Sequence, residues 1–125
     1  MAQQYGAYKL ALTATTATTG GAAGAVVNPE GVPLIIKRAF LYVATPSGGA
    51  ATVDVGIGAT ATTSNDTLID GKSVATAGVF DNITDKGTNG KERQLWPAGQ
   101  YVTVTASATL AGLVGALYID YIPAA

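Results

Sequence analysis

The sequence predicts an all-β domain, an antiparallel β-sandwich or jelly roll of seven or eight short strands with an N-terminal arm. Two observations carry that expectation. Runs of β-branched and aromatic residues recur at short intervals between turn residues, and nowhere does a helical period persist over the length of a normal helix. A third agrees with them: threonine, valine, alanine and 16 glycines fill the chain, a composition suited to strands and tight turns.

Residues 1–24 read as the arm and residues 25–125 as the sandwich. Ala11 to Ala25 is a low-complexity run, ALTATTATTGGAAGA, with too little apolar bulk to hold core positions firmly, so it is an arm or a lightly paired edge strand. Gln3, Tyr5 and Tyr8 lie ahead of it as anchors, because tyrosine offers a large contact area at small entropic cost. The segment either folds onto its own domain or docks on a neighbour. Asn28-Pro29-Glu30-Gly31 is a strong turn signal, in which proline presets one dihedral and glycine accepts the positive one that follows.

Leu34 to Val43 then reads as a long strand with apolar residues on both faces, closed by Pro46-Ser47-Gly48-Gly49. Thr52 to Gly58 alternates cleanly: Val53, Val55 and Ile57 share one face, Asp54, Gly56 and Gly58 the other. Glycines inside strands, at Gly56, Gly58 and Gly115, suit bulges or close backbone packing. Short strands are expected at Thr67 to Ile69 and Val79 to Ile83, with turn chemistry at Asp70-Gly71, Asp85-Lys86-Gly87 and Asn89-Gly90. Gln100 to Ser107 alternates again. In Leu113 to Ile122, Leu117, Ile119 and Tyr121 oppose Tyr118, Asp120 and Ile122, and apolar bulk on both faces implies that each is covered.

Composition narrows function. The chain has 125 residues, one domain's worth, with no histidine and no cysteine, which removes the commonest proton shuttle, thiol catalysis and the usual transition-metal ligands. Catalysis is disfavoured, and no cofactor is implied. A net charge of -1 provides no field for nucleic acid or anionic lipid. No apolar run is long enough to span a bilayer, and the N-terminus lacks a signal-peptide pattern. Charged residues make up only 12%, about half the usual fraction, which fits a surface covered in an assembly.

Candidate chemistry is thin. Asp81 to Glu92, DNITDKGTNGKE, has the length of a calcium loop, but Ile83 and Lys86 occupy positions where a ligand and the turn glycine belong. It reads as a polar loop, with Asp81 and Asp85 as its only candidates for weak calcium binding. Asp54, Asp66, Asp70, Asp81 and Asp120 supply carboxylates without the aromatic platforms of a glycosidase cleft. Asn65-Asp66-Thr67 and Asn82-Ile83-Thr84 match glycosylation acceptors, meaningful only in a secretory pathway. Trp96, before Pro97, reads as a core or interface plug. Lys37-Arg38 should send at least one charge towards an apolar side, which implies that the strand is an edge or that one charge meets a carboxylate across an interface.

The segments VVNPEGVPLIIKRAFLYV, ATVDVGIGATATTSNDTLIDG, GVFDNITDKGTNG and GLVGALYIDYIPA together resemble small structural proteins of tailed-bacteriophage virions, of the head-decoration or capsid-cement kind. That resemblance implies a β-sandwich or jelly roll, often a homotrimer, placed on the capsid exterior after synthesis in the host cytoplasm. Its partners would be further copies of itself and a major capsid protein lattice, whose capsomers it bridges against the pressure of packaged DNA. Residue type marks Gln3, Tyr5, Tyr8, Lys37, Arg38, Trp96 and Tyr118 as interface candidates. Two other readings share the composition: a head-fibre base or tail-associated β-domain, and a carbohydrate-binding module stacking sugars on Trp96 and Tyr101.

Overall fold

A computed structural model describes residues 6–124, and over that span the chain is all-β, with nine strands in two antiparallel sheets packed as a sandwich. The strands are β1 (Gly6–Ala11), β2 (Gly21–Val27), β3 (Leu34–Thr45), β4 (Thr52–Gly58), β5 (Ile69–Ser73), β6 (Gly78–Asp81), β7 (Gln94–Trp96), β8 (Tyr101–Ala106) and β9 (Val114–Pro123). The first sheet runs β1-β9-β3-β6, with β7 also paired to β3; the second runs β2-β8-β4-β5. The first described strand thus lies beside the last, and the second beside the next to last.

Inward residues of both sheets make one core. Leu34, Ile36, Leu41, Leu117 and Ile119 from the first sheet meet Val53, Val55, Val102 and Val104 from the second, all with no exposed surface. The period-two pattern over Thr52 to Gly58 is realised as β4, and Leu117, Ile119 and Tyr121 form the buried face of β9. Trp96 plugs one end of this core. Its ring is fully buried, meets Tyr121 edge-on at 6.0 Å, and donates its indole N–H to the Gln100 carbonyl at 2.8 Å.

Within the segment read as an arm, Gly6–Ala11 pairs with β9 over an unbroken register, Gly6 opposite Tyr121 through Ala11 opposite Ala116. Gly21–Val27 pairs with β8. Both strands sit at sheet edges. Leu10 of β1 rests on β2 at Gly24, where a Cβ would stand 3.3 Å from its side chain, and this closes one end of the sandwich.

β3 corrects the reading of Lys37-Arg38. It is not an edge strand: β9 flanks it on one side, β7 and β6 on the other. Ile36 faces Tyr121 and Arg38 faces Asp120, so Lys37 is an extra residue in a β-bulge. The bulge resets the alternation. Leu34 and Ile36 point inward before it, Ala39, Leu41 and Val43 after it, and both basic side chains stay off the core.

The same place leaves a gap on the other side of β3, since β7 pairs up to Ile36 and β6 begins opposite Phe40. Asn82, fully buried, fills it. Its Oδ1 accepts the Ala39 N–H at 2.9 Å, and its Nδ2 donates to the carbonyls of Lys91 at 2.9 Å and Glu92 at 3.1 Å. One amide thereby satisfies three backbone groups that no strand reaches. Asn28 works similarly at the Asn28–Gly31 turn: its Oδ1 accepts from Glu30 and Gly31, and its Nδ2 donates to Val32 and Trp96, while Gly31 takes a φ of 73°.

Candidate interaction face

The two outer faces of the sandwich differ. On the second sheet, Gly56 and Gly58 leave room for residues 59–67 to lie against the strands: a Cβ on Gly56 would stand 2.7 Å from Asn65, and one on Gly58 2.5 Å from Thr63. Ser64 reaches the Thr105 hydroxyl at 2.9 Å, and Asn65 donates to the Ile57 carbonyl at 2.7 Å. Thr103 and Thr105, which face outward on β8, are buried as a result. Residues 59–67 thus cover the middle of this face, while Val27 at its β2 edge stays 42% exposed.

No described segment covers the first sheet in that way. Cross-strand register sets its outer rows: Arg38 beside Asp120, Phe40 beside Tyr118 and Asp81, Tyr42 beside Ala116 and Val79, Lys9 beside Tyr118. At one end Tyr42, Val79 and Val114 are 41%, 64% and 58% exposed. There a shallow groove of about 440 Å³ is lined mainly by Ala11, Leu12, Tyr42, Val114 and Tyr118. At the other end Ile35 pairs with Ile122 and with Leu95, itself 53% exposed. Two apolar ends flank a charged belt.

The belt is weakly tied. Lys37 reaches Asp120 at 3.8 Å with both side chains about half exposed, a pair worth about 0–1 kcal/mol. Lys9 lies 5.9 Å from the centre of the Tyr118 ring and Arg38 5.5 Å from that of Phe40, where cation–π attraction holds the cations along the sheet. The buried Nε of Arg38 has no hydrogen-bond partner among the described residues.

Of the interface candidates, Lys37, Arg38 and Tyr118 come together on this outer face. Tyr8 does not: opposite Ile119, it belongs to the inward-facing row of β1, though it is 37% exposed. Trp96, with its ring wholly buried, has no surface to offer a partner or a sugar, so the interface and stacking roles expected of it give way to packing. Gln3 and Tyr5 lie outside the described residues. Sequence reasoning passed over Tyr42, Val79, Leu95 and Val114; for Tyr42 the signal was the apolar bulk on both faces of β3.

The carboxylates elsewhere are engaged by the protein. Asp81 Oδ1 accepts the N–H groups of Ile83 and Thr84, both at 2.8 Å, and the Thr84 N–H heads the influences that hold this carboxyl below its usual range. At Asp85, burial works upward, but the Asp81 N–H and the Lys72 ammonium at 3.1 Å outweigh it and the pKa is lowered. Asp54 goes the other way: burial raises it more than the Gly71 N–H at 2.7 Å lowers it, and Asp70 and Asp66 add repulsion. Both Asp66 and Asp70 accept from Asn89. Among the described residues no three acidic side chains are grouped as a metal cage would require. Hydrogen bonds tie the Asp81–Glu92 loop to Ala39, Asp66, Asp70 and Lys72 of the segments around it.

Comparison with protein-family models, with curated proteins and with solved structures finds no match for this chain.

Proposed function

We propose that this chain is a non-enzymatic structural protein that decorates a phage capsid exterior as a homo-oligomer, with the outer face of the five-stranded sheet resting on the shell. One observation supports this above others: a loop of the chain lies over the middle of one sheet's outer face, leaving Val27 at its edge, whereas the other sheet leaves Tyr42, Val79, Leu95 and Val114 in solvent. The low charged fraction and the sequence resemblance to capsid-cement proteins point the same way.

Burying such side chains contributes about 1.5–3 kcal/mol each at full burial, less for the part already covered. A single copy would therefore bind modestly. Copies linked to one another and facing a repeating lattice would gain through effective concentration, so firm attachment needs no large charge. The cationic belt of Lys9, Lys37 and Arg38 would set register on the lattice more than affinity.

Pelleting with expanded, undecorated capsids tests the reading. Tyr42→Glu combined with Val114→Glu should abolish co-sedimentation while leaving the melting temperature within a few degrees of the parent. Undiminished co-sedimentation of the double variant would overturn the assignment of this face.

A further inference from the structure

We propose that a second copy of this chain adds to the free edge of β1, the two β1 strands running antiparallel about a two-fold axis with Tyr8 opposite Tyr8. The pairing deepens the homo-oligomer reading above and rests on it. The sandwich has four sheet edges, and three are blunted in ways that discourage strand addition. β6 and β7 span only four and three residues. β2 is bulged between Ala22 and Gly24, and its Ala23 carbonyl already accepts from Thr13. β5 is flanked by residues 86–91, with Asp70 N–H donating to Lys86 and Lys91 N–H to Thr67.

β1 has none of these devices. It is six residues long, without proline, in unbroken register with β9, and no described strand pairs with its outer side. Its one charge does not guard that side, because the Lys9 ammonium lies towards the Tyr118 ring on β9.

Two hydrogen bonds show which peptide groups are free. Leu12 N–H donates to Gly115 on the β9 side, and Thr13 N–H donates to Ala23 on the other. By the alternation of a strand, Ala7, Lys9 and Ala11 turn their N–H and C=O groups outward. A continuous sheet requires inward residues to face inward ones, so the two-fold axis passes through a residue of β1 and not between two. Centring on Lys9 would set two ammonium groups directly opposite, which is repulsive. Centring on Tyr8 places Ala7 opposite the second copy's Lys9 as hydrogen-bonded pairs. It also brings the two partly exposed tyrosines together.

The absence of cysteine makes the register directly testable by single-cysteine cross-linking. Residues opposite one another at a non-hydrogen-bonded site lie about 4.5 Å apart at Cα, within disulfide reach, whereas the two Lys9 positions would be offset beyond about 7 Å. Under mild oxidation, Tyr8→Cys should cross-link efficiently and Lys9→Cys should not. Ala7→Pro, which removes an outward N–H without breaking the β1–β9 ladder, should reduce the dimer fraction in sedimentation velocity while the protein stays folded. If wild type associates but Lys9→Cys links, or neither cysteine links, or Ala7→Pro associates undiminished, the pairing is overturned while self-assembly stands. A wild-type chain that remains monomeric across the concentration range overturns both.

Discussion

Replacing Asn82 with alanine removes one side chain that satisfies three backbone groups: the Ala39 N–H and the carbonyls of Lys91 and Glu92. The residue is fully buried, so water does not replace it without opening the loop. Each buried group left unpaired costs about 1–3 kcal/mol. Carbonyls tolerate under-satisfaction better than N–H groups, and loop relaxation returns part of the cost. We expect a net loss of about 3–5 kcal/mol, a large share of the ~5–15 kcal/mol typical of a domain. Urea unfolding followed by Trp96 fluorescence, with the slope against denaturant held common, measures it.

Asn82→Asp sharpens the test, because a carboxylate keeps the acceptor for Ala39 but turns negative charge towards two carbonyls. Its folded-state pKa should rise, so the folded state binds more protons than the unfolded one, and stability should increase as pH falls through that raised pKa. A loss below about 1 kcal/mol for Asn82→Ala would refute the role given to this amide. So would an Asn82→Asp variant whose stability relative to wild type does not change with pH.

Three further outcomes are expected. The Tyr121 phenol is pushed up to about 12, chiefly by burial and then by its 2.8 Å bond to Glu30. Between its ordinary value of 10.0 and that point the folded state retains a proton the unfolded state releases, so stability should fall as pH rises; Tyr121→Phe should flatten that alkaline limb in a pH-resolved denaturation series. Because the Asp81 and Asp85 pKa values are lowered, their contribution is present above the ordinary carboxylate range and lost as pH falls through the folded values. Asp81→Asn should therefore weaken the dependence on acid below about pH 4 in the same measurement. Gly58→Ala would press a methyl against Thr63 and lift the loop at residues 59–67, costing about 1–3 kcal/mol and raising amide exchange at Thr103 and Thr105, whereas Gly49→Ala, whose Cβ would meet nothing nearer than Thr109 at 3.9 Å, should leave that exchange unchanged.

What the sequence disclosed and what it withheld divide along a physical line. β4 and the buried face of β9 were legible because alternation is local, and Val53, Val55, Leu117 and Ile119 declare their side by residue type alone. The orientation of Lys37 and Arg38 was not, because a bulge is a property of two strands and β9 lies some eighty residues downstream. β1 and β2 carry little apolar bulk and take their form from β9 and β8, a pairing no local pattern discloses. β7, three residues long, has no period to read. The candidate face was half visible: Tyr118 and Ile122 announced a second apolar side to β9, while Leu95 and Val114 join it only through register.

The neighbouring positions of β1 and β9 have a consequence for the order of events during synthesis. β9 separates β1 from β3 and supplies the ladder that both require, yet it is made after every other described strand. While a ribosome is still adding residues before Val114, the five-stranded sheet has no middle. Leu34, Ile36 and Leu41 then wait without the Leu117 and Ile119 side chains that complete their packing. Assembly of that sheet is held back until β9 emerges and then proceeds by closing very long loops, the slow regime for β-proteins. Until then the unpaired strands stay exposed, the interval in which a β-protein is most open to aggregation.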